Sequence, residues 1–227
     1  RIASVCRANQ STGFSIITYT GNGTSGSTVG HNLNKKPDFI ILKSRASENW
    51  LVYHSNYGSS YHSDLNLNGG FHSGGSKWTN TEPTSSVFSV ASDPAINFGS
   101  TNYVAYAWSA VEGYSSFGSY TGNGASGYPN ADGPFVYTGM RPHFVLIKAN
   151  ASENWTIYDT ARSTFNVLDD QLYPNENYSE TSGANREIDV YSNGFKIRSN
   201  GGFVNSNNTT YVWIAFAEHP FKTARAR

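Results

Sequence analysis

The sequence predicts an all-β protein made of two tandem antiparallel β-sandwich repeats, and three observations lead to this prediction. The chain repeats itself, its apolar runs are short and separated by turn residues, and its composition is typical of β-proteins. Aromatic residues make up 15% of the 227 residues and charged residues only 14%, alongside 22 glycines. Tyr and Trp favour pleated, half-buried surfaces, whereas Gly and Asn accept the positive φ of turns.

The internal repeat is visible as matching strings that keep the same order along the chain. Because the offset between copies grows while the order is kept, insertions must lie between the matched strands, and one folding unit is used twice. Three strings carry the repeat: 19–23 returns at 120–124 with an offset of 101, 37–43 returns at 142–148 with an offset of 105, and 103–107 returns at 211–215 with an offset of 108.

The repeat also sets the predicted domain boundaries. We expect a first repeat over 13–112 and a second over 113–227, packed closely together because no Pro- or Ser-rich linker separates them. Residues 1–12 precede the first repeat, and we expect them to be a linker or the remnant of a longer chain, since the sequence opens on Arg1. A jelly-roll, lectin-like topology is expected in each repeat.

Individual strands are predicted from short apolar runs bounded by turn residues, with almost no 3.6-residue periodicity. The runs at 39–42 and 145–147 are continuously apolar, as in central strands that are covered on both faces. One stretch differs, because Phe165, Leu168 and Leu172 are spaced as in a helix and predict a short one over 163–172. The predicted strands are 15–19, 39–43, 50–54, 65–68, 87–90 and 103–108 in the first repeat, and 117–120, 144–148, 155–159, 188–191, 195–198 and 211–216 in the second.

Charge and hydropathy argue against several classes of function. The 16 basic and 16 acidic residues balance, without a basic stripe, so we expect no nucleic-acid partner. We interpret Lys222, Arg225 and Arg227 as a solvated C-terminal tail. No run approaches the roughly 18 apolar residues of a membrane span, so we expect no membrane insertion.

Two glycine-rich strings, at 21–26 and 122–127, formally match the G-x-G-x-x-G fingerprint of dinucleotide-binding proteins. That fingerprint requires a helix immediately afterwards, because the pyrophosphate binds at a helix N-terminus. The residues that follow are Ser-Thr-Val-Gly in one copy and Tyr-Pro-Asn in the other, and neither string begins a helix. We therefore interpret both strings as turns and expect no cofactor.

Catalytic and metal-binding patterns are weak. The densest group of metal-ligand residues lacks the short spacing that places two ligands on one ion, so we expect no metal site. Glu48 and Glu153 recur with the repeat, but a glycosidase needs two carboxylates in different environments, and equivalent positions argue against that. We therefore expect no enzymatic activity from this pair. The dense group is His54, His62, Asp64 and His72.

The string Ser-Glu-Asn-Trp recurs letter for letter at 47–50 and 152–155. One interpretation is ligand contact, in which Trp offers a stacking face while Asn and Glu bind hydroxyl groups. The other is a turn followed by a strand whose first Trp packs into the core, and retention in both copies fits this at least as well. The resulting secondary candidates for ligand binding are Glu48, Asn49, Trp50, Glu153, Asn154 and Trp155.

The principal ligand site is expected where the two copies differ, because shared packing already explains where they agree. Ligand contacts should come from aromatic residues beside Gly, Asn and Ser loops, where side chains reach solvent. The stretch 56–78 has this composition, whereas its counterpart at 173–185 carries only Tyr173 and Tyr178. The predicted ligand-binding residues are Tyr57, Tyr61, His62, Phe71, His72 and Trp78.

Long strings of the chain also resemble a known family. The strings at 13–23, 78–88, 133–139 and 215–222 are similar to a domain of unknown function that occurs in tail-fibre-like structural proteins of marine phages, including phages of cyanobacteria. The resemblance covers roughly 13–227. It implies a β-rich module of the virion surface or extracellular space, and it assigns no catalytic residue.

Three functions remain open at this point. The resemblance favours a non-catalytic adhesion or receptor-binding module that recognises host surface glycan or another envelope component. A second hypothesis is a purely structural fibre, decoration or filament-forming protein, and a third is a polysaccharide depolymerase. Low charge and the analogy with fibres favour a homo-oligomer, with a trimer preferred.

Overall fold

The computed structural model describes residues 1–73 and 77–217, and β-strands dominate them. The prediction of an all-β fold with antiparallel sheets is therefore confirmed. Two compact units divide the chain: Arg1–Asn66 with Phe71–Ala110 forms the first, and Leu67–Gly70 with the residues from Val111 onward forms the second. Lys222, Arg225 and Arg227, the predicted basic tail, lie outside the described residues.

The first unit contains a seven-stranded antiparallel sheet, ordered β1-β2-β9-β4-β5-β6-β7, and a two-stranded sheet, β3-β8. Its strands are β1 (Ser4–Asn9), β2 (Phe14–Thr20), β3 (Ser27–Gly30), β4 (Phe39–Ser44), β5 (Trp50–His54), β6 (Tyr61–Asp64), β7 (His72–Ser73), β8 (Val87–Val90) and β9 (Asn102–Trp108).

The second unit contains a four-stranded sheet, ordered β10-β16-β12-β13, and a three-stranded sheet, ordered β11-β15-β14. A four-residue helix, α1, precedes the last strand. The elements are β10 (Ser115–Thr121), β11 (Phe135–Tyr137), β12 (Pro142–Ala149), β13 (Thr156–Asp159), β14 (Ile188–Tyr191), β15 (Gly194–Ile197), α1 (Gly202–Asn205) and β16 (Thr210–Ala217).

The sheet orders match the sequence repeat. The run β2-β9-β4-β5 of the first unit has the same connectivity as β10-β16-β12-β13 of the second. Matching residues also occupy matching registers, since Tyr19 pairs with Tyr103 in the first unit and Tyr120 pairs with Tyr211 in the second. One four-strand ladder is therefore built twice.

Each unit has its own hydrophobic core, formed by side chains from both of its sheets. In the first unit Ile17 and Ile40 of the large sheet lie in one cluster with Val29 and Phe88 of the small sheet. In the second, the cluster joins β12 and β16 to the three-stranded sheet through Val136, Val190 and Phe195. Burial of this apolar surface is the main source of stability for each unit.

Most predicted strands are present, and three have the predicted bounds: 50–54 and 87–90 in the first unit, and 188–191 in the second. The predicted strand 65–68 is wrong, because β6 ends at Asp64 and the side chain of Asn66 closes a turn against Trp50. The alternating Leu and Asn residues there form a turn rather than a strand with one solvent-exposed face.

The helix predicted over 163–172 is also wrong. Leu168 and Leu172 form extended backbone bridges, to Ile188 and Ile157 respectively. Phe165 points to solvent while Leu168 is buried. The helical spacing of these three residues is therefore coincidental, since only one of them contributes to the core.

The N-terminal residues form part of the first unit. Residues 1–12 were expected to lie outside the repeats, but β1 pairs with β2 along its whole length, from Ser4 opposite Tyr19 to Asn9 opposite Phe14. Ile2 is buried in the core of this unit as well. The alternation of Val5 and the polar residues around it is short, which is why the strand was missed.

Candidate functional site

The recurring Tyr-Thr-Gly-Asn-Gly string begins with a pair of stacked tyrosines in each unit. Tyr19 stacks on Tyr103 with ring centroids 5.0 Å apart, and Tyr120 stacks on Tyr211 at 4.9 Å. All four hydroxyl groups donate hydrogen bonds to backbone carbonyls of the turn before the last strand of the ladder. Buried tyrosines with satisfied hydroxyls stabilise a core, so these residues are structural.

A buried asparagine closes the same string in the first unit. Asn97 accepts from the backbone N–H of Asn22 at 2.9 Å and donates through Nδ2 to the side chain of Asn22 and the carbonyl of Thr24, at 3.1 and 3.0 Å. Any side chain at Gly21 would collide with the carbonyl of Phe98. The glycine is therefore required for close backbone approach.

The second unit repeats this arrangement with Asn205. Its side chain accepts from Asn123 N at 2.9 Å and donates to Asn123 Oδ1 and the carbonyl of Ala125, both at 3.2 Å, and to the carbonyl of Ser199 at 2.8 Å. We call the two arrangements the asparagine locks, centred on Asn97 and Asn205. Sequence comparison missed them because the two asparagines stand in otherwise dissimilar turns.

The glycine-rich strings are turns, as predicted. Gly23, Gly26, Gly124 and Gly127 all have positive φ, a conformation that glycine adopts at low cost. Gly26 leads directly into a strand, β3, rather than a helix. The N-terminal helix dipole on which dinucleotide binding depends does not follow either string within the described residues.

The Ser-Glu-Asn-Trp string is held by a second asparagine pair in each unit. Asn66 accepts from the backbone N–H of Trp50 at 2.8 Å and donates to Asn49 at 3.0 Å. In the second unit Asn175 bonds Trp155 and Asn154 in the same way, at 2.9 and 2.8 Å. Asn49 and Asn154 therefore hold the turn, which supports the structural interpretation of the string.

The two tryptophans of this string differ in burial. Trp155 is fully buried, whereas Trp50 keeps 37% of its surface exposed. Glu48 and Glu153 are both half-buried, and the side chain of Glu153 lies against the backbone of Gly202. Of the six secondary candidates, Trp50 is the one with a substantial aromatic surface in solvent.

A lysine recurs beside this string and caps backbone carbonyls. Lys43 donates to the carbonyls of Ser44 and Ala46, and Lys148 donates to those of Ala149 and Ala151, at 2.7 and 2.9 Å. Burial lowers the pKa of Lys148 to about 8, opposed by the charge of Glu153. These lysines hold loop backbone and are not free to contact a ligand.

The predicted site in the first unit forms an aromatic cluster at the edge strands β6 and β7. The ring of Tyr57 stacks on Phe71 with centroids 4.4 Å apart, and Tyr61 lies 5.7 Å from Tyr57. Phe71 is buried, while Tyr61 keeps 36% of its surface exposed. Burial, assisted by Tyr61, raises the pKa of Tyr57 to about 12, so its hydroxyl stays protonated.

The two histidines of the predicted site lie opposite each other across β6 and β7. His62 pairs in register with His72, and their ring centroids are 4.3 Å apart. Burial, followed by the charges of His72 and Lys77, lowers the pKa of His62 to about 4, while Asp93 opposes the shift. His62 is therefore buried and neutral. His72, by contrast, is exposed.

Trp78 does not belong to a surface site. Its side chain is only 1% exposed and packs edge-on against Tyr53 and Phe88 in the core of the first unit, with centroids 5.7 and 6.2 Å apart. Its prediction as a ligand contact is wrong, because the neighbouring Gly and Ser residues suggested a loop where the chain passes into the core. Residues 74–76 of the predicted stretch lie outside the described residues.

A surface depression of about 560 Å³ lies elsewhere in the first unit, across β1, β2 and β9. It exposes no aromatic face, since the tyrosines beneath it, Tyr19 and Tyr103, are core residues. Two of its polar side chains bond to each other, since Thr20 donates to Asn102 at 2.8 Å.

Sequence analysis missed a second group of exposed aromatic residues, on the three-stranded sheet of the second unit. Phe135, Tyr137 and Tyr191 all have large exposed surfaces. The alternating Phe-Val-Tyr at 135–137 was the available signal, because a period of two predicts a strand with one wet face. It was overlooked because the run is only three residues long.

Residues 1–73 and 77–217 hold no group of three or more His, Cys, Asp or Glu residues arranged to bind a metal ion. Hydrogen bonds to one carboxylate, that of Glu82, offset its burial and lower its pKa to about 2; the donors are Lys36, Ser59 and Tyr53. No helix of this part of the chain is long and apolar enough to cross a membrane.

Comparison with known proteins gives one family and no individual relative. The model of a domain of unknown function, DUF7483, matches residues 1–220, and the chain belongs to this family. The predicted resemblance is thereby confirmed at the level of a domain of unknown function. No curated protein and no solved structure matches the sequence.

Proposed function

We propose that this member of the DUF7483 family is a non-catalytic recognition module that binds carbohydrate on a cell surface, of the kind carried by phage tail fibres. In this proposal each unit is a lectin-like sandwich of the jelly-roll type, and the protein works at the virion surface or in the extracellular space. Copies of the chain assemble into a homo-oligomer, with a trimer preferred, so that several weak sites act together.

One observation carries the proposal: the residues that the two units share hold the fold, while most exposed aromatic residues lie where the units differ. The shared tyrosine pairs and asparagine locks are hydrogen-bonded within each unit and buried, except that Tyr120 is partly buried. Tyr61 lies on β6, a strand next to the sheet edge that has no counterpart in the second unit. Exposed aromatic surface beyond what folding requires is typical of a binding site.

The carbohydrate class follows from the type of side chain available in the first unit. Tyr57 and Tyr61 offer ring faces, and the polar side chain of His72 is exposed on the strand beside them. Pyranose rings present axial C–H groups to aromatic faces and hydroxyl groups to polar neighbours. The balanced net charge gives a polyanion such as nucleic acid no general attraction.

The test is a glycan array probed with the full chain, together with light scattering of the same sample. Selective binding to a subset of pyranose oligosaccharides is the expected result. A chain that binds no glycan but forms oligomers or filaments would instead support the structural alternative. Loss of polysaccharide chain length on incubation, abolished by Glu48→Gln or Glu153→Gln, would establish the depolymerase alternative and overturn the proposal.

A further inference from the structure

The three-stranded sheet of the second unit presents an aromatic outer face. In register, Phe135 lies opposite Lys196, and Tyr137 lies opposite Gly194. Gly194 in turn lies opposite Tyr191 on the next strand. Side chains alternate between the two faces of a strand, so these five residues share one face, and Val136, Val190 and Phe195 face the core.

The aromatic residues of this face are unusually exposed for their size. Tyr137 keeps 67% of its surface in solvent, Phe135 47% and Tyr191 39%. Phe135 and Tyr191 meet edge to face, with ring centroids 5.9 Å apart and an interplanar angle of 65°. We call Phe135, Tyr137 and Tyr191 the aromatic face.

Gly194 leaves a shallow depression in the middle of the aromatic face, because glycine has no side chain. A Cβ atom at this position would lie 2.9 Å from Cζ of Phe135, so the Phe135 ring extends over the glycine. Tyr137 and Tyr191 flank the same glycine on the neighbouring strands, about 10 Å apart across two strand spacings. A flat ring could therefore lie on Phe135 between the two tyrosines.

Fixed polar groups surround the aromatic face. Lys196 pairs with Asp132 at 2.5 Å, and Arg198 pairs with Asp189 at 2.9 Å. The hydroxyl of Tyr191 donates to Asp189 at 3.3 Å. Because these groups are already positioned, they can hydrogen-bond a ligand's hydroxyls with little further ordering.

The size of the aromatic face argues for a small ligand rather than a second copy of the chain. Fully exposed aromatic side chains offer about 150–250 Å² each, so these three leave roughly 300 Å² in solvent. A stable protein interface needs about 800 Å² from each partner. The alternation of aromatic rings with paired charges also suits a polyol better than the apolar centre of a dimer interface.

We propose that the aromatic face is a binding site for a pyranose ring of a glycan, with Phe135 as the stacking floor and Tyr137 and Tyr191 as its sides. The first unit has no equivalent, because Thr28 and Gly30 stand in the positions of Phe135 and Tyr137 on its small sheet. This inference rests on the proposed function, and it adds a second site in the other unit.

The experiment isolates the aromatic face by removing the first-unit site. The best-bound oligosaccharide from the array is immobilised, and the full chain carrying Tyr61→Ala is measured against Tyr61→Ala/Tyr137→Ala. Tyr61→Ala/Tyr178→Ala is the matched control, because Tyr178 is 61% exposed and lies outside the aromatic face. We expect at least about ten-fold weaker binding from the loss of Tyr137, which corresponds to about 1.4 kcal/mol, and no change in the control.

Each other outcome is decisive. If Tyr61→Ala abolishes all binding, or if both double variants bind equally, the aromatic face is not a sugar site, although the proposed function survives. If the wild-type chain binds no oligosaccharide, the proposed function fails and this inference fails with it. If Tyr137→Ala dissociates an oligomer seen by light scattering, the face is an interface between copies and the inference is overturned.

Discussion

The two units share a four-strand ladder and use the segment that follows its outer strand differently. In the first unit, the residues between β5 and β8 add β6 and β7 to the large sheet. In the second, the residues between β13 and β15 form β14, which joins the small sheet instead. The same scaffold therefore tolerates variation in one place, and this segment carries Tyr61 in the first unit and Tyr191 in the second.

This difference separates the residues that folding requires from those that are free to take on a function. The tyrosine pairs, asparagine locks and carbonyl-capping lysines occur in both units and satisfy backbone groups that would otherwise be buried without partners. Agreement between the units therefore reports the requirements of folding. Exposed aromatic residues such as Tyr61 and Tyr137 lack counterparts and are free to differ.

The largest loss of stability is expected from substitution of one of the two tryptophans of the Ser-Glu-Asn-Trp string, and a much smaller loss from the other. Trp155→Ala removes a fully buried side chain and should lower the free energy of unfolding by about 3–5 kcal/mol. Trp50→Ala removes a partly exposed one and should cost less than about 1.5 kcal/mol. Urea unfolding followed by circular dichroism measures both. Equal losses would mean that the string has the same role in both units.

Removing the central asparagine of either asparagine lock should destabilise the chain by a similar amount. Asn97→Ala and Asn205→Ala each leave backbone groups without partners, so we expect each to lower the free energy of unfolding by about 2–4 kcal/mol. Asn207→Ala is the matched control, since Asn207 is exposed and lies two residues from one lock. If one variant is severely destabilised and the other is neutral, the locks are not equivalent.

Acid should lower the stability of the first unit through protonation of His62. Its pKa is about 4 in the folded chain and 6.5 as the reference value, so between these pH values the unfolded chain binds a proton that the folded chain does not. The free energy of unfolding therefore falls as the pH is lowered through this window, by about 2 kcal/mol at pH 5.

The measurement for His62 is urea unfolding at pH 7.5 and pH 5, with the wild-type chain and His62→Gln. The variant lacks the titrating group, so its stability should fall less between the two pH values. Burial also lowers the pKa of His31, which leaves a smaller acid effect in both chains. An identical fall in wild type and variant would assign the acid sensitivity to other groups.

The repeat made the strands of the four-strand ladder predictable, because matching strings such as those around Tyr103 and Tyr211 showed which strands correspond; the order of those strands was not predicted. The short strands β6, β7 and β11, which lie at or next to a sheet edge, were not predictable in this way. Edge strands of two to four residues carry little periodicity, and their pairing depends on the rest of the sheet. Sequence alone therefore identified the shared part of the fold better than the part that differs.

The candidate site of the first unit was predicted only in part. Tyr57, Tyr61 and Phe71 do come together, because they flank one pair of edge strands. Trp78 does not join them, since aromatic residues beside Gly and Ser can equally lead into a core. Burial depends on what packs over a residue, and no local pattern reports that.

The smallest effect on stability, and the one that bears most directly on function, is expected from Tyr61→Ala. The side chain lies on the short strand β6 with 36% of its surface exposed, so its loss should cost less than about 1 kcal/mol of stability. Binding to glycans on the array should nevertheless weaken, because the ring is the accessible part of the first-unit cluster. Tyr178→Ala, an exposed tyrosine of the second unit, is the control. If both variants bind as the wild type does, the cluster of Tyr57, Tyr61 and Phe71 only packs the sheet edge, and divergence between the units does not mark a site there.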